Sequence, residues 1–146
     1  MSLELRAATP ADVETLFAIR TSVVQNHLSR EQMAELGITP EALVSILAAE
    51  PCAWIAEVDG AAAGFAMVDS EIGEVFALFI RPEFEGLGIG RALLALAEAC
   101  LFQRHERIWL VTDGNPQVRA NGFYQRLGWH QVARVDARDV RFEKQR

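Results

Sequence analysis

A glycine-rich connection between a predicted strand and a predicted helix is the feature of this sequence best suited to binding a ligand. The segment Ile80–Arg91 reads IRPEFEGLGIGR, with glycine at the alternate positions 86, 88 and 90. Glycine lets the backbone turn sharply and lets a ligand approach without meeting a Cβ atom. Free amides at the start of the following helix, aided by the helix dipole, favour a bound anion. The loop therefore predicts a diphosphate ligand.

A glycine-rich connection that binds nothing is the alternative interpretation of this loop. A dinucleotide-binding fold would place its motif after the first strand of a βαβ unit, with an acidic residue about 20 positions further on. Here three strand-like runs precede the motif, separated by short polar connections: Ala53–Val58, Ala63–Asp69 and Glu74–Ile80. Two tight connections in succession indicate an antiparallel meander, which argues against the dinucleotide fold.

The remaining elements surround this meander. A strand is predicted at Leu3–Ala8, and two helices begin at Thr9-Pro10 and Thr39-Pro40, joined by the polar stretch 25–36. After the loop the predicted elements are a helix from Gly90 to Gln103, a strand at Ile108–Thr112, a helix at Pro116–Leu127 closed by Gly128, and strands at Trp129–Val135 and Asp139–Glu143. The order β-α-α-β-β-β-α-β-α-β-β predicts an α/β fold with a mixed, mostly antiparallel sheet and helices on both faces.

Composition limits the classes of function. The 146 residues suit one domain, residues 1–146, and 14 basic against 20 acidic residues give a net charge of −6. This charge disfavours binding to nucleic acid or to an anionic membrane surface. Two cysteines and three scattered histidines predict neither a metal site nor a disulfide. Because no apolar signal core and no spanning segment are visible, we expect a cytoplasmic protein.

Two blocks of the sequence resemble the GCN5-related N-acetyltransferase (GNAT) family. Its signature is Arg or Gln, two variable residues, Gly, one variable residue, then Gly or Ala, and this chain has EGLGIG at Glu85–Gly90. Glu85 thus departs from the usual first residue. The second block, RANGFYQRLGW at Arg119–Trp129, resembles the late helix and following strand of the family. The order of elements is similar from end to end, so the resemblance implies the GNAT fold for the whole chain.

The resemblance implies acetyl-CoA as a cosubstrate and assigns residues to it. The backbone of Leu78, Phe79 and Ile80 would pair with the pantetheine arm, as an added strand does at a sheet edge. The edge would arise where this strand splays from the one at Ile108–Thr112. The pyrophosphate would lie on the amides of Gly86, Leu87, Gly88, Ile89, Gly90 and Arg91. The family often has an asparagine seven positions before its late-helix tyrosine; Gln117 stands there, so Asn115 is the candidate two residues away.

The resemblance also implies catalytic roles. Tyr124, the only tyrosine, would donate a proton to the departing thiolate, since a phenol and a thiol have similar pKa values. Glu74 and Asp113 are candidates for the base that deprotonates the amine, although water alone could serve. Packing alone would explain the tyrosine, and solvation alone would explain the two carboxylates. Cys100 lies inside a predicted amphipathic helix and Cys52 follows Pro51 at the end of another, so direct transfer is favoured over a covalent acyl intermediate.

These residues predict an enzyme that moves an acetyl group from acetyl-CoA to an amine by direct attack in a ternary complex. The acceptor is expected to be a small molecule or a peptide, and a homodimer is compatible with the family. One alternative is a non-catalytic acyl-CoA-binding sensor or regulatory module. Another is an interaction domain whose glycine loop binds nothing.

Overall fold

The architecture is taken from a computed structural model that describes residues 2–23, 27–115 and 119–146. Within these ranges the strands are β1 (Leu3–Ala7), β2 (Ala53–Val58), β3 (Ala61–Asp69), β4 (Glu74–Ile80), β5 (Arg107–Asp113), β6 (His130–Arg134) and β7 (Asp139–Gln145). The helices are α1 (Val13–Ser22), α2 (Arg30–Glu35), α3 (Pro40–Ala49), α4 (Ile89–Leu101) and α5 (Arg119–Arg126). One-turn 3₁₀ segments at Pro10–Asp12 and Pro82–Phe84 precede α1 and α4.

All seven strands belong to one sheet with the order β1-β2-β3-β4-β5-β7-β6. Five neighbouring pairs are antiparallel, and only β4 and β5 run parallel. The parallel pair requires a crossover connection, which α4 supplies. The predicted mixed, mostly antiparallel sheet is confirmed.

The central strand β3 is covered on both faces. Every residue of Ala63–Val68 is buried, although successive side chains of a strand point to opposite faces. Both α1 and α4 pack against β3. Helix α4 contributes a stripe of fully buried side chains, Leu93, Leu94, Ala97 and Leu101. Burial of consecutive residues in β3 is thus explained by helices on the two faces.

Local signals at the helix starts act as predicted. The hydroxyl of Thr39 accepts a hydrogen bond from the amide of Ala42 at 3.2 Å, and α3 begins at Pro40. At the first helix the carboxylate of Asp12 accepts from the amide of Thr9 at 2.8 Å. Both arrangements satisfy amide groups that a helix start leaves without intrahelical partners. The Thr9-Pro10 start differs in one respect, because a 3₁₀ turn precedes α1.

Helix α2 is absent from the sequence prediction, which treats residues 25–36 as a polar connection. Ser29 and Gln32 form a reciprocal cap: the Ser29 hydroxyl accepts from the Gln32 amide at 3.1 Å, and the Gln32 side chain accepts from the Ser29 amide at 2.8 Å. The Ser-x-x-Gln spacing is a signal that could have located this helix. Six residues are too few for apolar periodicity to reveal it.

Two predicted helix boundaries fall outside the described residues. The expected end of the first helix near Val24 and the expected start of the last helix at Pro116 both lie there, whereas α1 ends at Ser22 and the described part of α5 begins at Arg119. Beyond α5, Gly128 has a φ of 90°. That value suits the predicted role of Gly128, since a left-handed residue commonly ends a helix.

Gly64 lets β3 approach the end of β4 closely. A Cβ atom there would lie 2.8 Å from the carbonyl oxygen of Phe79 and 2.5 Å from Cδ1 of Ile80. Because a backbone atom cannot yield cheaply, we expect Gly64→Ala to lower the free energy of unfolding by about 1–3 kcal/mol. Urea denaturation measures this difference.

Gly90→Ala is the matched control for this prediction. Its new Cβ would meet its nearest atom, in the Phe123 ring, at an ordinary 3.5 Å. It also replaces glycine by the best helix former, so we expect no loss of stability. Equal midpoints for Gly64→Ala and the wild type would show that β4 adjusts freely.

Candidate active site

Strands β4 and β5 separate immediately after they meet. The only pair between them is Glu74 with Trp109, at the N-terminal end of β4. The Trp109 amide donates to the carbonyl of Gly73 at 3.0 Å, and its indole Nε1 donates to the carbonyl of Ile72 at 2.9 Å. These bonds hold the strands together at one end. Beyond them the sheet opens as the resemblance implied.

A cleft of about 740 Å³ occupies this opening. It is bounded by β4, by the loop that follows β4, by the start of α4, by β5 and by α5. Among the predicted site residues its lining includes Leu78, Phe79, Ile80, Gly86, Gly88, Ile89, Gly90, Arg91 and Tyr124. The structure thus brings most of the candidates to one concave site.

The glycine loop lies against the cleft. Gly86 and Gly88 have φ values of 78° and 81°, a left-handed conformation that residues with a Cβ adopt only with strain. Among the backbone hydrogen bonds of the described residues outside regular elements, none has an amide of residues 86–91 as its donor. Gly88 is the N-cap of α4, and a Cβ added there would meet nothing within 4 Å. The loop can therefore accommodate an anion against several amides.

The open edge of β4 offers alternate backbone groups. The amide of Arg81 donates to the carbonyl of Ala63 at 2.8 Å, and Gly64 and Phe65 of β3 lie opposite Ile80 and Phe79. Antiparallel pairing alternates, so the N–H and C=O groups of Phe79 are directed at β3. Those of Leu78 and Ile80 are directed away from β3, toward the opening. This register narrows the predicted backbone contacts of the arm to Leu78 and Ile80.

Tyr124 lies in the cleft wall within an aromatic cluster. Its ring is 5.3 Å from that of Phe123, 5.9 Å from that of Phe142 and 6.1 Å from that of Trp129. The residue is buried, and burial raises the pKa of its phenol well above the usual value near 10. No hydrogen bond joins its hydroxyl to another described residue. The phenol is therefore protonated at neutral pH and available to a ligand.

The two candidate bases lie at opposite ends of the opening, and neither lines the cleft. Glu74 is half-buried where β4 and β5 meet, and burial, followed by the charge of Asp69, raises its carboxyl pKa; Arg141 acts in the other direction. Asp113 ends β5, and its carboxylate accepts from the amide of Asn115 at 2.8 Å. The structure therefore gives Glu74 the environment of a base and Asp113 the role of a turn acceptor, while both catalytic roles stay predictions.

The structure also gives the positions of Leu87, Asn115 and Glu85 relative to the cleft. Leu87 is 44% exposed at the tip of the loop and does not line the cleft, and Asn115 is also outside its lining. Glu85, the departure from the family signature, does line the cleft and is exposed. Gln117, in the position of the family asparagine, lies outside the described residues.

Sequence similarity identifies the chain. Residues 15–129 match the profile of the acetyltransferase (GNAT) family over well more than half of the 146 residues. The chain belongs to the GNAT family. The predicted class is thereby confirmed: it is an acetyl-CoA-dependent acyltransferase, with acetyl-CoA as cosubstrate.

Individual GNAT proteins support this membership over different lengths. Peptidyl-lysine N-acetyltransferase YjaB of Salmonella typhimurium is 34% identical over 149 residues, covering 96% of this chain and 92% of that protein. An uncharacterized N-acetyltransferase of Archaeoglobus fulgidus is 34% identical over 79 residues, so the match spans 48% of this chain and only 54% of the relative. The PaiA N-acetyltransferase of Thermoplasma acidophilum, solved with coenzyme A, has a TM-score of 0.80 at 21% identity, with both chains fully covered. That structural likeness confirms the fold.

Other reactive side chains of this GNAT protein lie outside the cleft. Cys52 and Cys100 are free thiols, and burial raises the pKa of each. A raised pKa leaves little thiolate to act as a nucleophile. Within residues 2–23, 27–115 and 119–146, no group of three His, Cys, Asp or Glu side chains is placed to hold a metal ion. The same ranges contain no helix long and apolar enough to span a membrane.

Sequence reasoning missed the apolar residues that line the cleft away from the loop. Val23, Phe76 and Val111 belong to the lining; Val23 directly follows α1, and the other two lie on β4 and β5. Alternation along β5 was the available signal, because the buried residues Ile108 and Leu110 place Val111 on the other face. The sequence does not show that this other face borders an opening.

Proposed function

We propose that this GNAT protein transfers the acetyl group of acetyl-CoA to a primary amine by direct attack within a ternary complex. One observation carries the proposal: the open edge of β4 leads into a loop in which the amides of residues 86–91 donate none of the backbone hydrogen bonds that the described residues make outside regular elements. An edge followed by such a loop suits an extended arm that ends in a diphosphate.

The chain would hold its cosubstrate mainly through backbone groups. The amides of residues 86–91 face the pyrophosphate, with the dipole of α4 adding to their attraction. The outward N–H and C=O groups of Leu78 and Ile80 bond the arm. The reactive thioester then lies further back along β4, where an outward amide can donate to the thioester oxygen as it gains negative charge.

Proton transfers in the proposed reaction involve two side chains. The amine nitrogen forms a bond to the thioester carbonyl carbon and loses a proton, which Glu74 accepts directly or through water. The carbon–sulfur bond then breaks, and the departing thiolate takes the proton of the Tyr124 hydroxyl. Burial raises the pKa of this phenol, and the same apolar surroundings raise the proton affinity of a thiolate held beside it. The products are an amide and free coenzyme A.

A lysine side chain is the first acceptor to test. YjaB, which is similar to this chain over 92% of its own length, is named a peptidyl-lysine N-acetyltransferase. The net charge of −6 also favours a cationic acceptor over an acidic one.

A panel of amines incubated with acetyl-CoA tests the proposed function. We expect free thiol to be released in proportion to the amine acetylated, with at least one primary amine active. Omitting the amine should leave only slow hydrolysis. Tight binding of acetyl-CoA with no transfer to any amine would favour a sensor instead.

The pH dependence of turnover tests the base. A carboxyl whose pKa is raised must lose its proton before it can accept one, so activity due to Glu74 is present above its raised pKa and lost as pH falls through it. We expect Glu74→Gln to lower kcat about 10²-fold or more and to remove this acidic limb. Asp113→Asn is the matched control, with a near-normal profile. If both variants keep the wild-type profile, water is the base.

A further inference from the structure

Two large apolar side chains in the cleft, those of Phe76 and Val111, are exposed. Phe76 is 47% exposed and Val111 is 37% exposed, and both line the opening between β4 and β5. A single exposed apolar residue needs no explanation, but apolar side chains gathered in a concave site are typical of ligand contacts.

Both side chains lie close to the point where β4 and β5 meet. Glu74 pairs with Trp109, and Phe76 and Val111 each lie two residues further along their own parallel strands. Val111 shares a face of β5 with Trp109, whereas Phe76 is the extra residue of a β-bulge in β4, because Val75 pairs with Val68 of β3 and Ala77 with Met67. Both residues line the first part of the opening, where the strands begin to separate.

Val23 adds a third apolar contact from a different element. It follows α1 at its C-terminal end and lines the same cleft. We call Val23, Phe76 and Val111 the apolar throat. Charged groups at its closed end include the half-buried Glu74 and Asp69, which lies opposite Glu74 on β3. Arg141 also lies there; its guanidinium stacks 4.4 Å from the Trp109 ring and donates to Glu143 at 3.0 Å.

We infer that the apolar throat binds the methylene chain of the acceptor and selects a primary amine carried on an unbranched alkyl chain, such as a lysine side chain. This inference rests on the proposed function. An amine entering between Phe76 and Val111 reaches the open edge of β4 with Glu74 two residues away. Its methylene groups leave water for contact with apolar side chains, which is favourable for each carbon buried.

Other amines would bind less well in the throat. A peptide α-amine is bonded to the α-carbon, which also carries a polar carbonyl group. In the throat this carbonyl would lose its hydrogen bonds to water, and valine and phenylalanine side chains could not replace them. Phe76 and Val111 are therefore expected to determine specificity and not to take part in proton transfer.

A series of unbranched primary amines from ethylamine to pentylamine tests the inference with the full-length chain and acetyl-CoA. These amines have nearly equal basicity, so differences in kcat/KM report on the contact with the alkyl chain. We expect kcat/KM to rise about fourfold per added methylene, the equivalent of about 0.8 kcal/mol for each. The kcat/KM for Nα-acetyl-lysinamide should exceed that for glycinamide, in which the carbon bearing the amine also carries a carbonyl group.

Variants of the throat should remove this dependence on chain length. We expect Phe76→Ser and Val111→Ser to lower the ratio of kcat/KM for pentylamine to kcat/KM for ethylamine about tenfold. Phe76→Leu should restore most of the slope. Val132→Ser, at a residue of β6 that is 50% exposed and outside the cleft, is the matched control and should keep the wild-type slope.

The outcomes separate the two proposals. If none of the amines, whatever its chain length, leads to release of thiol, the proposed function is overturned. Transfer that is equally fast for every chain length, or a slope that both serine variants retain, would overturn the throat and leave the acetyltransferase reaction intact. Thermal stabilisation by acetyl-CoA shows whether each variant is folded. If Phe76→Ser does not fold, the result for Val111→Ser decides between these outcomes.

Discussion

Tyr124→Phe is expected to lower kcat by about 10²–10⁴-fold while acetyl-CoA still binds. The substitution removes only a hydroxyl that makes no hydrogen bond to another described residue, and it keeps the ring contacts with Phe123, Trp129 and Phe142. The fold should therefore be preserved. Steady-state release of thiol measures the loss, and stabilisation by acetyl-CoA in a thermal melt measures binding.

Binding and turnover together decide what this variant means. A ligand at about 100 times its dissociation constant adds roughly 2.7 kcal/mol of stability, so a folded and binding-competent variant is easily recognised. Because burial raises the pKa of the phenol, wild-type turnover should not fall as pH passes through 10. Unchanged turnover in Tyr124→Phe would assign thiolate protonation to water, whereas a sensor would show no turnover in either protein.

Gly88→Ala is expected to weaken binding of acetyl-CoA about 10- to 100-fold. A Cβ at this left-handed position would project at the start of α4, where the loop amides are directed at the proposed pyrophosphate. Loss of one hydrogen bond to a charged group, about 1.5–3 kcal/mol, accounts for a change of this size. Titration of coenzyme A by calorimetry measures the dissociation constant.

Gly37→Ala is the matched control for the loop. Gly37 has a φ of 82°, and like Gly88 it has no atom within 4 Å of an added Cβ, but it follows α2 away from the cleft. Both variants should lose a similar stability, about 1–2 kcal/mol, from the left-handed conformation. Only Gly88→Ala should bind coenzyme A more weakly. An equal loss of affinity in both would attribute the effect to general destabilisation.

The proposed use of backbone groups to bind acetyl-CoA is compatible with the departure from the family signature at Glu85. Glu85 occupies the position usually held by Arg or Gln, yet the proposed pyrophosphate contacts are backbone amides of the residues that follow it. Amides and a helix dipole attract an anion whatever side chain precedes them.

Features that depend on neighbouring residues in sequence could be predicted. The glycines at 86, 88 and 90, the Thr39-Pro40 start of α3 and the alternation in β2 to β4 act through local geometry and capping, so they can be read without a fold. The two blocks that resemble the GNAT family then assigned both Tyr124 and the loop to an acetyl-CoA site. Helix α2 shows the limit of this approach, since its cap at Ser29 was legible but its length was too short for periodicity.

Only the tertiary structure decided how these parts meet. Sequence shows that Val111 faces away from Leu110, but not that it lies exposed in the same cleft as Phe76. The point at which β4 and β5 are held together depends on bonds between Trp109 and residues 72 and 73, which are 36 or more positions away. Burial of the Tyr124 phenol likewise depends on Trp129 and Phe142, from outside its own helix. Long-range packing determines both the raised pKa of the Tyr124 phenol and the shape of the apolar throat, because neither is a property of a local segment.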